Sequence, residues 1–205
     1  MAKGKISYQL HPGLAMMDAI VRNLKAKTGK TLEEWTALLN KQGPEVVSEQ
    51  KAWLKERYGL GGSTIGAIVD HARGADEELN PEAYLKNAPI YVDQLFSGAR
   101  AHLRPICDEL LVLATSFGDD VKVSPCKTFV PLYRKHVFGQ IKPTTQTRLD
   151  VGLALGDVKT AKRLIDTGGL AKKDRITRRI ELTSVSDIDA DVKKWLKAAY
   201  DRDGE

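Results

Sequence analysis

Apolar residues recur at helical spacing along the first part of the chain. Leu14, Met17, Ile20, Val21 and Leu24 fall on one helical face, and Thr28-Gly29 ends that run with Gly in the C-cap position. Thr31-Leu32-Glu33-Glu34 predicts a capping box, in which the Thr hydroxyl and the Glu34 carboxylate accept from backbone N–H groups at the start of a second helix. Trp35, Leu38 and Leu39 form its inward face. Gly43-Pro44 closes it, and Pro44 is expected to open a third helix, with Val46, Val47, Trp53, Leu54 and Tyr58 buried. Gly59-Leu60-Gly61-Gly62 reads as a loop, and Ser63 or Thr64 as the cap of a fourth helix with Ile65, Ile68, Val69 and Ala72 inward. The pattern predicts a small all-helical module over residues 1–75.

The polar, acidic run from Arg73 to Pro81 marks the boundary, and a second module is expected over 81–205. It opens helically: Asn80-Pro81 and Pro89 each read as helix starts, and a longer helix follows through Leu103, Ile106, Leu110, Leu113 and Phe117, with Pro105 in its first turn. After Gly118-Asp119-Asp120 the period changes to two. Strands are predicted at Val121–Val123, Lys127–Arg134 and Val137–Ile141, and at 147–155, where Leu149, Val151, Leu153 and Leu155 alternate with Arg148, Asp150, Gly152 and Ala154. Val158–Ile165 is expected to form a short helix and Ile176–Thr183 a last strand. The closing helix is capped near Asp187 or Asp189 and buries Val192, Trp195, Leu196, Ala199 and Tyr200. This order predicts an α+β chain: an all-helical N-terminal module, then a mostly antiparallel sheet packed on helices.

Composition changes this picture in one respect. The net charge of +5 over 205 residues conceals a strong partition: residues 122–179 hold 14 Lys/Arg against 4 Asp/Glu, a local +10, while 81–121 and 180–205 each carry −3. An anionic partner is the inference such asymmetry invites. No stretch approaches the roughly 18 apolar residues of a membrane span, and no apolar signal region follows the first residues, so a cytoplasmic protein without a membrane partner is expected. Cys107 and Cys126 lack the spacing of a zinc or redox pair and read as ordinary buried side chains.

Most motifs that carry chemistry fail on inspection. Thr28-Gly29-Lys30-Thr31 looks like the end of a phosphate-binding loop, but the required first Gly is Leu24 and a helix precedes it. The Gly59–Gly66 run lacks the third Gly and the leading strand of a dinucleotide fingerprint. His11, His71, His102 and His136 show no ligand spacing, and His102 stands five residues from Cys107, off its helical face. A helix-turn-helix at the fourth helix is weak because that helix carries almost no Lys or Arg. No catalytic residue, metal ligand or cofactor site is nominated.

What remains is the basic stretch, with aromatics interleaved. In the strand expected at 127–134, Lys127, Phe129, Pro131, Tyr133 and Lys135 share one face, and Thr128, Val130, Leu132 and Arg134 the other, which reads as the core side. Tyr133 is then placed to stack on a base while Lys127 and Lys135 neutralise phosphates. Phe129 and Tyr133 packing under a helix is the commoner fate of strand aromatics. Ile176, Arg178, Ile180 and Leu182 share a face, so Arg178 needs a buried partner: a carboxylate such as Asp150, or a ligand.

Thr28–Trp35, Ala52–Lys55 and Tyr58-Gly59-Leu60 together resemble a small helical domain of unknown function found in bacterial proteins. Leu103–Leu110, Val151–Leu155, Leu182–Val185 and Asp189–Asp201 resemble, in order, the opening helix, central strand and end of a C-terminal module of unknown function, loosely labelled a predicted transport protein. The resemblance covers nearly the whole chain. It implies the two-module parse, and no catalytic residues, cofactor or substrate.

Three functional expectations stand. The first is a binding protein, not an enzyme, whose second module holds an anionic partner, nucleic acid foremost, through Lys127, Tyr133, Arg134, Lys135, Lys142, Arg148, Arg178 and Arg179. The second is an enzyme or small-anion receptor with a pocket around Arg178. The third is an adaptor whose helical module docks a protein.

Overall fold

In the computed structural model, which describes residues 6–75 and 80–204, the chain divides into two units. One runs from Leu10 to Leu85; the other joins the segment ending at Gln9 to the chain from Lys86 onward. Residues 76–79 of the expected boundary, and the first five residues, lie outside the described residues.

The first unit holds four helices, α1 (Pro12–Thr28), α2 (Leu32–Gln42), α3 (Val47–Tyr58) and α4 (Gly62–Ala72). Gly29 ends α1 at φ 80°, a left-handed conformation that only glycine adopts cheaply. The capping box on α2 is present: Glu34 N donates to Thr31 Oγ1 at 3.2 Å and Thr31 N donates to Glu34 Oε2 at 2.7 Å. Two helix starts differ from expectation. α3 begins at Val47, because the Pro44 carbonyl, which a helix opening there would give to a backbone N–H, instead accepts from Gln50 Nε2 at 3.0 Å. α4 is capped by extended Gly61, so Ser63 and Thr64 already lie inside the first turn and make no side-chain cap. Leu24, Trp35, Leu39, Leu54, Ile65 and Ile68 form the core. Trp35 donates its ring N–H to Thr28 Oγ1 at 2.8 Å, and Tyr58 meets Trp35 and Trp53 edge-on at 5.0 and 5.1 Å.

α5 (Pro81–Leu95), which runs from the end of the first unit into the second, begins at Asn80-Pro81, where Asn80 Oδ1 accepts from Glu82 N and Ala83 N. Pro89 is not a second start; it lies inside α5 at an exposed position, where the acceptor it leaves unused can be hydrated. α6 (Arg104–Thr115) carries Pro105 in its first turn. The sheet then comprises β1 (Lys122–Val123), β2 (Val130–Tyr133), β3 (Val137–Pro143), β4 (Leu149–Leu153), β5 (Ile165–Asp166) and β6 (Arg178–Leu182), with the four-residue α7 (Gly169–Lys172) before β6 and α8 (Ala190–Arg202) closing the unit. The strand order is β1-β2-β3-β4-β6-β5, antiparallel throughout. This is an α+β chain.

One face of the sheet, through Leu132, Ile141, Val151, Ile180 and Leu182, shares a core with Ile106 and Leu110 of α6 and Leu196 of α8. Asp189 caps α8, while Asp187 closes a capping box with Ser184 on the short turn before it. The segment before α1 also joins this unit: Gln9 N donates to the Val123 carbonyl at 2.9 Å, Val123 N donates to Gln9 Oε1 at 2.7 Å, and Ile6 and Tyr8 pack on the core. Val158–Ile165 forms no helix. Arg178 Nε takes the Val158 carbonyl at 2.7 Å, Ala161 bridges to Leu164, and Ile165 pairs with Arg179 as part of β5. Every residue of β4 is buried, so both faces of this strand are covered. Gly152 is needed there: a Cβ would stand 2.7 Å from both Gln140 Cγ and Ile176 Cγ2. Ile176 thus precedes β6 and lies over Gly152, away from the face shared by Arg178, Ile180 and Leu182. Cys107 is fully buried and Cys126 half-buried, and burial pushes the Cys107 thiol well above its ordinary range.

Candidate anion-binding surface

Asp150 of β4 and Glu181 of β6 stand directly opposite each other, a like-charge pairing that costs stability unless it is neutralised. Arg148 and Arg179 neutralise it. Arg148 reaches Asp150 Oδ1 and Glu181 Oε1, each at 3.0 Å, and Arg179 reaches Asp150 Oδ2 at 3.0 Å and Glu181 Oε1 at 2.6 Å. The four side chains form a closed box with no net charge. Lys142, also opposite Asp150 across β3, is exposed.

Arg178 is 4% exposed and points to the core, as its neighbours require. Its partner is not Asp150. Nε and a terminal N–H donate to the carbonyls of Val158 and Thr177, each at 2.7 Å, and Asp166 lies 3.4 Å away. Asp150 is engaged by the other two arginines, which share its side of the sheet.

The remaining candidates do not share one strand face, because β2 is only four residues long and a bulge follows Leu132. Lys127 lies before the strand, exposed, with its ammonium 5.9 Å from the Tyr91 ring. Tyr133 is half-buried, and desolvation raises its pKa. Arg134, expected on the core side, turns out to the end of α8. It ion-pairs with Asp120 at 2.6 Å, lies 4.3 Å over the Tyr200 ring and donates to the Tyr200 carbonyl at 3.3 Å. Lys135 donates to the Gly204 carbonyl. Two cations thus meet carbonyls left without helical partners where α8 ends. His136 completes this clasp: its backbone N–H donates to Asp203 Oδ2 at 2.7 Å, and its Nδ1 stands 3.1 Å from Asp203 Oδ1. Arg175 binds the same carboxylate at 2.6 Å.

Arg134 and the Tyr200 hydroxyl both donate to Asp120 and hold its carboxyl below the ordinary range. A group with a lowered folded pKa contributes stability above its unfolded value and loses it as pH falls through the folded one. Thermal stability should therefore hold from neutral pH to about 4, near the ordinary carboxylate pKa, and decline below it. Asp120→Asn should lower the melting temperature at pH 7 and flatten the acid decline, which melting curves between pH 2.5 and 7 would measure. Glu33, Asp187 and Asp189, each lowered chiefly by backbone N–H bonds, should contribute to the acid dependence that remains.

Seven further Lys and Arg lie in residues 122–179 beyond the candidates, among them Lys159, Lys162, Lys172 and Lys173. All four are exposed, on the segment joining β4 to β6. Their signal is present in the charge of the segment, whereas Arg148 and Arg179 find carboxylates. Among the described residues no group of His, Cys, Asp or Glu is placed to hold a metal, and no helix is long and apolar enough to cross a membrane.

The unit's α6, sheet and α8 coincide with a family match over residues 92–203. The chain belongs to the family described as Domain of unknown function (DUF5655). A second family, Domain of unknown function (DUF4287), matches residues 17–74. No curated protein and no solved structure matches the chain. Within the DUF5655 domain, the segments that resembled its opening helix, central strand and end are α6, β4 and α8. The arginine box and the Asp203 clasp also fall inside it.

Proposed function

We propose that the sheet-bearing unit binds a polyanion, nucleic acid being the class its charge fits, and that exposed lysines rather than sheet arginines make the contact. One observation carries this reading. Within the +10 stretch of residues 122–179, Lys142, Lys159, Lys162, Lys172 and Lys173 are exposed, while Arg134, Arg148, Arg178 and Arg179 are held by protein groups. Lysine is a compact, hydrated point charge suited to phosphate oxygens, and phosphate contacts of this kind carry affinity without base readout.

Titration of the full chain with labelled single-stranded DNA, duplex DNA and RNA tests the proposal. With about four phosphates neutralised, affinity should fall roughly a hundredfold between 50 and 200 mM salt. Absence of binding to all three at 50 mM salt would remove the reading and leave the lysines as a solvated surface.

A further inference from the structure

A cleft of about 330 Å³ opens in the second unit, lined by Gly156, Arg175, Thr177, Arg202 and Asp203, with Leu170 as an apolar wall. That volume lies at the lower end of small-ligand sites. The carboxylates lining the cleft already have protein donors. Asp203 accepts from His136 and Arg175, and Asp174 Oδ1 accepts from Ile176 N at 3.1 Å. Arg175 is fixed by Asp203 and by the Val137 carbonyl. Arg202 is held far more loosely. Its nearest carboxylate, Asp157, is 3.9 Å away and 88% exposed, and its guanidinium lies over Gly156, where a Cβ would approach it to 2.7 Å.

Thr177 supplies the second observation. It is 2% exposed, yet its hydroxyl has no hydrogen-bond partner among the described residues, although it lines the cleft. Its backbone is fully engaged: the N–H donates to Leu153, and the carbonyl accepts from Thr167 and Arg178. A buried hydroxyl without a partner is costly, so an unpaired one beside a cleft points to a group that would complete it.

We infer that this cleft binds a small oxyanion-bearing ligand, a carboxylate or phosphate group, through the Arg202 guanidinium and the Thr177 hydroxyl, with Arg175 held beside them by Asp203. The inference stands apart from the polyanion reading, since none of these residues belongs to the exposed lysine set. A phosphate group in the cleft has two sources, a free small molecule or a nucleic-acid chain.

The test titrates the full chain with inorganic phosphate and, separately, succinate, at constant ionic strength, by calorimetry and thermal shift. At least one probe should bind saturably. Arg202→Gln should weaken that probe tenfold or more, as expected for losing a hydrogen bond to a charged group, and Thr177→Val severalfold. Because the hydroxyl has no protein partner, Thr177→Val should leave the melting temperature without ligand unchanged or raised. No saturable binding of either probe, or affinity unchanged in Arg202→Gln, would overturn the inference. A melting temperature lowered by several degrees in Thr177→Val would also overturn it, since the hydroxyl would then have a structural partner. An oligonucleotide that displaces phosphate would uphold the cleft and assign its source to nucleic acid. Phosphate binding without any oligonucleotide binding would uphold the cleft and remove the polyanion reading.

Discussion

Phe138→Ala should cost about 3–5 kcal/mol, the ordinary range for truncating a buried aromatic. It should lower the melting temperature of the sheet-bearing unit by on the order of 10–20 °C. Phe138 is fully buried on β3, and its ring meets Tyr200 of α8 edge-on at 5.6 Å. The loss would not stay local. Tyr200 carries the hydroxyl that donates to Asp120 at 2.7 Å, and its ring lies under Arg134. A cavity at Phe138 therefore loosens the seat of α8, and with it the end of the helix that bears Arg202 and Asp203. Phe138→Leu, which keeps most of the volume, should recover most of the stability. Thermal denaturation of the three proteins decides the matter. Equal melting temperatures for wild type and Phe138→Ala would mean that β3 and α8 are not joined as described.

Reversing Lys159, Lys172 and Lys173 to Glu together should have the largest effect on binding. The change takes residues 122–179 from +10 to +4, at three positions that are all exposed, so folding should be little affected. If each lysine neutralises one phosphate, the slope of log affinity against log salt should shrink by about 3, and binding at 50 mM salt should be nearly abolished. The paired arginines make the informative contrast. Arg148→Ala or Arg179→Ala leaves Asp150 and Glu181 opposed with one neutralising partner, so stability should drop while the salt slope stays nearly constant. A surface that read phosphates through the sheet arginines would show the reverse, with the arginine variants changing the slope and the lysine variants leaving it intact.

The contrast between these residues also shows how far the candidate surface was legible from the chain. Charge partition is a property of composition, and the concentration over 122–179 is visible without coordinates. Which of those charges remain accessible depends on pairing. Arg148 and Arg179 meet Asp150 and Glu181 only when β4 and β6 are in register, and Arg134 meets Asp120 and Tyr200 only when α8 is seated. The two helix starts that moved, at Val47 and Gly62, show the same limit at short range. A Gln side chain three residues into a helix, or a Gly free to extend, shifts a boundary that Pro, Ser and Thr suggested.

By itself the sequence determined the features whose hydrogen bonds and packing close within a few residues. These are the capping box at Thr31 and Glu34, the glycine stop at Gly29, the helical faces of the first unit and an aspartate cap before α8, which the sequence left between Asp187 and Asp189. Tertiary structure alone decided whatever joins distant positions. The segment ending at Gln9 meets Val123, Arg178 takes the Val158 carbonyl in a segment that forms no helix, and Asp203 gathers His136 and Arg175 from 67 and 28 residues away. The physical reason is that a local hydrogen bond needs only the propensities of its neighbours. A buried carboxylate, by contrast, acquires its partners from whichever strands and turns the packed core brings to it.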